Sequence, residues 1–361
     1  MVEDELPPKP AGPLRSGWTT GACAAAAARA AAEALATGRL PSSVTIRLPQ
    51  GQTPSFGVVG GAVGADYAEA GVVKDAGDDP DVTHGAEIRV RLIRNAPGQG
   101  LAFRAGTGVG TVTKPGLALA VGEPAINPGP RAIIATALAA YGSDWIVTVS
   151  IPDGEKRALK TLNARLGIVG GLSVLGTSGI VTPYSCAAWI HSIHRGIDVA
   201  RAEGLPHVAA ATGSTSEAFV KRFYALPDSA LLDMGDFAGG TLKYLRVHPV
   251  ARVTVAGGFA KLAKLAAGAM DLHSARSRVD ARYLADRLGT LGAAAALCEA
   301  ASAPDMSAGA VLGLARAANL PLAQRIAEEA QRVAAEIAGP AIALDVLVVD
   351  RAGELIGQAG P

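Results

Sequence analysis

Between residues 72 and 85 the chain reads VVKDAGDDPDVTHG, which crowds Lys74, Asp75, Asp78, Asp79, Asp81 and His84 into eleven positions. Four carboxylates so close repel one another, and each raises its neighbours' hold on a proton unless cations or backbone amides offset the charge. Three chemistries suit such a cluster. A metal loop is one, although the regular alternation and terminal glutamate of an EF-hand are missing. A solvated Asx-rich turn is the second. The third is the edge of a substrate site, where the carboxylates and His84 exchange protons with a polar ligand. Spacing alone leaves all three open.

The second stretch with chemical potential is NARLGIVGGLSVLGTSGIVTPYS, residues 163–185, where Gly167, Gly170, Gly171, Gly176 and Gly179 interrupt an apolar frame. Glycines inside such a frame weaken a strand unless the backbone needs their freedom or must come close to something. The stretch reads either as a glycine-bent core strand or as a ligand-cradling turn opening a second domain. A further segment, residues 105–131, is so dense in glycine and proline that it must be loops and turns. Gly106, Gly108 and Gly110 match neither the dinucleotide fingerprint nor the P-loop, because the third glycine of the first and the Gly-Lys-Ser/Thr of the second are absent. Lys114 and Arg131 are its cations, as open to surface roles as to ligand binding.

Elements must carry these loops. Thr19 and Thr20 precede an alanine run from Ala22 to Ala36 and Gly38 follows it, which predicts a capped soluble helix too short and too weakly hydrophobic to span a bilayer. Its amino end, with two hydroxyls and unpaired amides, suits a carboxylate or phosphate as well as ordinary capping. Residues 43–48 and 86–93 alternate as half-exposed antiparallel strands, with Ile88, Val90 and Leu92 on one face. A helix over 130–141 and a strand over 145–151 precede a PDG turn, where the domain boundary is placed. A helix over 184–203 carries His191 and His194 one turn apart, but no third metal ligand lies nearby.

From Leu205 onward strands and helices alternate in the manner of a parallel sheet with crossovers. Strands near 207–211, 230–234 and 253–256 each end in a glycine or hydroxyl turn before a helix, and in a doubly wound sheet such turns share the edge where ligands bind. The rest, 280–338, is alanine-rich helix, closed by a strand at 341–349. The expected fold is α/β: a flexible tail over 1–17, a mixed α+β domain over 18–155, and a Rossmann-like α/β domain over 156–361 with a mostly parallel sheet.

The 361 residues suffice for two such cores, and the 4% aromatic content argues against an all-β sandwich. Net charge is +1, from 33 basic and 32 acidic residues, so nucleic acid is not an expected partner. Cys23, Cys186 and Cys298 are odd in number and far apart, which favours a reducing cytoplasm over a disulfide framework. The first residues lack an apolar signal core, and no membrane partner is expected.

Taken in order, LRSGWTTGACAAAAA at 14–28, VVKDAGDDPDVTHGAEI at 72–88, GTGVGTVTKPGLALAVGEPAINPGPR at 106–131 and LGIVGGLSVLGTSGIVTPYS at 166–185 resemble the signature blocks of the CbiD family of the anaerobic cobalamin route. Weaker echoes follow at 234–245 and 257–274. The resemblance implies methyl transfer from S-adenosylmethionine to ring carbon 1 of cobalt-precorrin-5B, giving cobalt-precorrin-6A. Cobalt would arrive only inside the substrate, with no protein metal site. Asp75, Asp78, Asp79 and His84 become candidates for proton handling. Arg15, Thr19, Thr20, Gly21, Lys74, Asp81, Thr83, Lys114, Asn127 and Arg131 become candidates for the carboxylate-rimmed macrocycle. The donor is assigned to second-domain turns: Gly170, Gly171, Gly176, Thr177 and Gly179, then Thr212 and Gly213, Asp233, Asp236, Gly257 and Gly258. A non-catalytic corrinoid carrier is the rival reading, and a homo-oligomer is left open.

Overall fold

A computed structural model describes Pro10 and residues 12–274 and 276–360. The chain divides into two compact units, the first ending at Ser185 and the second starting at Cys186. Most of the expected tail lies outside the described residues, but its end does not behave as a tail. Gly17 and Trp18 form a strand.

Along the first unit run β1 (Gly17–Trp18), α1 (Thr20–Thr37), β2 (Ser43–Thr45), β3 (Ser55–Gly57), β4 (Gly60–Val63), β5 (Tyr67–Val73), β6 (Glu87–Arg94), β7 (Leu101–Ala105), β8 (Thr111–Val112), α2 (Pro128–Leu138), β9 (Trp145–Ser150), α3 (Gly154–Ala158), β10 (Ile168–Val169) and β11 (Ile180–Val181). The main sheet has the order β4-β5-β6-β9-β7, antiparallel except for the β7–β9 pair. Alternation along β6 buries Ile88, Val90 and Leu92 and turns Arg89 and Arg91 to solvent. The buried face meets α1, which starts on the Thr19 cap and stops on Gly38 in the left-handed region. Because α1 is nearly all alanine, it approaches Ala68 and Ala70 of β5 closely, and its residues from Thr20 to Ala28 are all buried.

The glycine stretch of 163–185 belongs to this unit, whose end at Ser185 lies thirty residues past the boundary read from sequence. It is braided into it: β11 pairs with β1, β10 with β8, and single bridges join Leu172 to Val109 and Val174 to Ile126.

Along the second unit run α4 (Cys186–Ala202), β12 (His207–Ala211), α5 (Ser214–Tyr224), β13 (Leu231–Asp233), α6 (Ala238–Val247), β14 (Arg252–Gly258), α7 (Phe259–Ala266), α8 (Ala281–Thr290), α9 (Ala295–Ala301), α10 (Ala308–Ala317), α11 (Leu322–Ala338), β15 (Ala343–Val349) and β16 (Leu355–Ala359). The sheet order is β13-β12-β14-β15-β16, parallel but for β16. Val208, Val253, Val255, Val346 and Val348 face a large core with α4, α6, α7 and α11. The opposite face, with Ala209, Ala256 and Leu347, is covered by Val220 and Phe219 of α5. Helices on both faces and a reversal of strand order at β12 make this a doubly wound sheet. Its switch point lies beyond the carboxyl ends of β12 and β14.

Candidate functional site

The acidic loop hangs between β5 and β6, and its carboxylates do not converge. Asp75 takes a bidentate pair from the Arg15 guanidinium at 2.5 and 2.9 Å and the Gly77 amide at 2.9 Å. The Arg15 hydrogen bond, helped by the Gly77 amide, holds the Asp75 carboxyl down at about 2. Asp78 accepts from the Arg15 amide at 2.6 Å, and its own amide donates to the Arg15 carbonyl at 3.0 Å. Asp79 accepts from the Tyr184 amide at 2.8 Å. Asp81 accepts from Lys74 Nζ and, at 2.7 Å, from the Thr83 amide. Each charge has its own partner, which answers the repulsion expected of the cluster. Among the described residues no group of three or more His, Cys, Asp or Glu is placed to hold a metal ion.

Lys74 has a different employment from the one expected. Its side chain is 2% exposed, and its ammonium faces Asp81 and the Thr83 hydroxyl rather than solvent. Burial alone would raise Asp81, but the Lys74 charge and the bonds from Lys74 and Thr83 outweigh it and hold the carboxyl below its usual range. Asp79 goes the other way: partial withdrawal from water lifts it above its usual range, against the opposing Tyr184 amide. His84 is exposed, and its Nδ1 accepts from the Ala76 amide at 3.2 Å, which leaves the proton of the neutral ring on Nε2. Asp75, Asp78, Asp79 and His84 therefore lie in one loop, pinned by Arg15 on one side and Tyr184 on the other.

The helix start at Thr19, Thr20 and Gly21 is largely occupied from within. Thr19 Oγ1 accepts from the Ala22 amide at 3.1 Å, and the Gly21 amide donates to the Leu175 carbonyl at 3.0 Å. Asn127, the first residue before α2, is tied to the Val174 carbonyl through its amide at 3.1 Å and Nδ2 at 3.3 Å. Arg131 Nε donates to the Ile126 carbonyl at 2.7 Å and Nη2 to Glu123 at 2.5 Å. The stem of Lys114 lies across Gly167, where a Cβ would meet it at 2.4 Å.

Glycines of the 166–185 stretch are explained by close backbone approach rather than by empty space. A Cβ on Gly171 would meet the Gly108 carbonyl carbon at 2.3 Å, on Gly176 the Thr19 side chain at 2.3 Å, and on Gly179 Leu48 at 2.6 Å. Gly170, at φ +86°, faces open space. Thr177 packs against Gly129, where a Cβ would lie 3.1 Å from its Cα. These five residues, read from sequence as part of a second-domain donor site, thus sit in the first unit, with Gly176, Thr177 and Gly179 beside the starts of α1 and α2.

The remaining donor candidates lie at one edge of the second unit. Ala211, Asp233 and Ala256 are in register, so Thr212, Asp233 and Gly257 end three adjacent parallel strands. Gly213 and Gly258 immediately precede α5 and α7, neither helix has a side-chain cap, and a Cβ on either glycine would meet nothing within 4 Å. Gly257 is different, because its Cβ would sit 2.7 Å from Thr212 Oγ1. Asp236 is buried just beyond β13, and Oδ1 accepts no hydrogen bond. Two residues at this edge escaped the sequence reading. Lys261, in the first turn of α7, donates to the Thr212 carbonyl at 2.8 Å and stands 3.3 Å from Asp236 Oδ1. Trp189 donates from Nε1 to the Asp233 carbonyl at 3.0 Å and lies 3.7 Å from the Cβ position of Gly235. An i+3 lysine after a glycine turn and a lone tryptophan on a helix carry no spacing signal. Only the sheet brings them here.

Comparison with known proteins follows these two units. The CbiD family matches residues 8–183, and a second description, "CbiD, C-terminal domain", matches residues 271–360. The cobalt-precorrin-5B C(1)-methyltransferase of Paramagnetospirillum magneticum is 58% identical, covering 96% of this chain and 98% of that protein. Those of Bradyrhizobium sp. and Halorhodospira halophila are 58% and 54% identical, each over 96% of this chain and 94% and 95% of their own lengths. A 1.9 Å crystal structure of the cobalamin biosynthesis protein from Archaeoglobus fulgidus is 26% identical, covering 73% of this chain and 83% of that one, with a TM-score of 0.39. At such identity over nearly the whole length, this chain belongs to the CbiD family.

Proposed function

We propose that this protein methylates cobalt-precorrin-5B at ring carbon 1, giving cobalt-precorrin-6A. The observation that carries the reading is the 54–58% identity, over nearly their full lengths, to relatives named for that reaction. S-adenosylmethionine is the donor this reading adopts, since it supplies a methyl already activated on a sulfonium. In-line displacement then asks the protein mainly to hold donor and acceptor carbon in line.

The donor goes to the carboxyl edge of the second unit's sheet. Two uncapped helix starts, open space at Gly213 and Gly258, and a buried carboxylate oxygen lacking a hydrogen bond fit a polar ligand there. The macrocycle goes to the first unit, where Asp78 and His84 of the acidic loop are exposed beside Arg15, itself exposed. Lys74 and Asp81 act there as positioning residues, and Asp79 is the proton-handling group, because a carboxyl lifted by burial keeps its proton closer to neutral pH. The metal of this reaction is part of the substrate. Three free cysteines suit a reducing cytoplasm, and among the described residues no helix is long and apolar enough to cross a membrane.

The test is anaerobic incubation of the purified protein with cobalt-precorrin-5B and methyl-labelled S-adenosylmethionine, followed by NMR location of the label. Label on carbon 1 is the expected outcome. Tight ring binding with no transfer and no donor binding would replace the enzyme by a carrier. Within the enzyme reading, Asp79→Asn keeps an acceptor for the Tyr184 amide and is expected to lower kcat at least tenfold with the fold intact. A wild-type rate removes Asp79 from proton handling.

A further inference from the structure

Resting on the donor reading above, we propose that the crevice beyond β12 and β14 is built for the zwitterionic end of an α-amino acid, with Asp236 receiving the ammonium and Lys261 the carboxylate. The donor's methionine tail is that zwitterion. Three strand ends converge on the pair. Asp236 follows β13, Thr212 ends β12, and Lys261 stands one turn after β14. Asp236 is 4% exposed, yet its Oδ1 accepts no hydrogen bond. Lys261 supplies charge at 3.3 Å and donates to the Thr212 carbonyl, 2.8 Å away. A buried carboxylate oxygen in this state gains most from a ligand that brings its own N–H donors.

The opposite charge is provided for in the same place. Both α5 and α7 begin on a glycine, which offers no side-chain cap, and Lys261 lies in the first turn of α7. Amides at a helix start together with an ammonium suit a carboxylate. A phosphate would satisfy that half but would bring negative charge against Asp236. A ligand with an ammonium and a carboxylate on one carbon satisfies both. Gly213 and Gly258 leave the space between open, because no atom lies within 4 Å of where their Cβ atoms would be.

Calorimetry on the full chain with two probes tests this. S-adenosylhomocysteine carries the amino-acid tail, and 5′-methylthioadenosine shares its nucleoside and thioether without it. Asp236→Asn and Lys261→Met are each expected to weaken S-adenosylhomocysteine about 10- to 100-fold, the worth of a charge-assisted hydrogen bond, while leaving 5′-methylthioadenosine unchanged. Equal losses for both probes, or none, overturn the zwitterion subsite and leave the donor reading standing. Wild-type protein that binds neither probe overturns the donor reading and this subsite with it. Should either pair variant melt early, Gly258→Val is the second probe, since its Cβ would have no atom within 4 Å. It is expected to weaken S-adenosylhomocysteine at least tenfold at an unchanged Tm, and unchanged affinity would remove the crevice as the site.

Discussion

Asp81→Asn separates a structural lysine from a ligand-binding one. The ammonium of Lys74 is enclosed, at 2% side-chain exposure, while its partner Asp81 sits at the rim at 23%. Asparagine preserves the shape and still accepts from the Thr83 amide, but it leaves the enclosed ammonium facing only dipoles. Removing one partner of a buried pair costs about 3–5 kcal/mol, because the remaining charge is uncompensated. The reverse variant, Lys74→Met, leaves Asp81 at the rim with its Thr83 bonds and access to water, so its cost is nearer the 1–3 kcal/mol of an impaired hydrogen-bonded carboxylate. Asp81→Asn is thus the more damaging of the two, and for a unit of this size it lowers Tm by roughly 6–20 °C. Urea unfolding followed by circular dichroism measures both, and the double variant gives the coupling. The sign of the pH dependence is also set. Asp81 lies below its usual range when folded, so its contribution is complete above the unfolded carboxylate value and is lost as pH falls through the folded one. Wild type should therefore lose its advantage over Asp81→Asn on acidification. A cost below about 1 kcal/mol for Asp81→Asn, or a larger one for Lys74→Met, would refute the argument from burial.

Four further outcomes follow from the geometry. Gly17→Ala puts a Cβ 2.0 Å from the Ala76 carbonyl carbon, and it should destabilise by about 1–3 kcal/mol as the backbones part. Gly213→Ala faces open space on extended backbone and should stay within about 0.5 kcal/mol in the same urea titration. Burial lifts the Cys23 thiol to about 12, so Ellman's reagent should reach Cys23 only after unfolding, and rapid labelling of it in the native protein would contradict its enclosure. Asp75 is held at about 2, chiefly by Arg15, so its stabilising effect is present above the unfolded carboxylate value and fades as pH falls toward 2. Hydrogen exchange of the Trp18 amide, which donates to the Asp75 carbonyl at 2.7 Å, should quicken over that interval beyond the intrinsic pH effect, and equal protection in Asp75→Asn would sink this.

Local rules carried much of the fold. The Thr19 cap and Gly38 stop bracket α1 as its sequence implies, and the alternation of β6 sorts Ile88, Val90 and Leu92 from Arg89 and Arg91. The parallel sheet of the second unit was legible in its strand-turn-helix rhythm, because each turn there is made of residues adjacent in sequence. β5 was not read as a strand. Its core face is Ala68, Ala70 and Val72, and the two alanines, small where an alanine helix comes close, weaken the contrast in size and hydropathy on which a period of two depends. The partners of the acidic loop were hidden for another reason. Arg15 meets Asp75 and Tyr184 meets Asp79 across sixty or more positions of chain, and no local pattern announces such meetings.

The glycine stretch carries the larger consequence. From sequence, 166–185 looked like a cradle, since glycines in an apolar frame mean that something comes near the backbone. That inference is sound, but what comes near is the chain itself. Gly171 crosses Gly108, Gly176 crosses Thr19, and Gly17 crosses Ala76, each within distances a side chain forbids. Close crossings need glycine as strictly as a ligand does, so composition cannot separate the two cases, whereas the position of the missing Cβ can. Applied to the glycines read from sequence as site candidates, that criterion leaves Gly170 open in the first unit and Gly213 and Gly258 open in the second. Gly170 is held at φ +86° with no helix start beside it, so its residue type answers a backbone need. Gly213 and Gly258 have extended backbone that any residue could adopt and still leave the mouth of the switch point clear. Open space without conformational need at two adjacent helix starts suits a ligand, and under the proposed function it favours the sheet edge over the braided stretch as the donor's place.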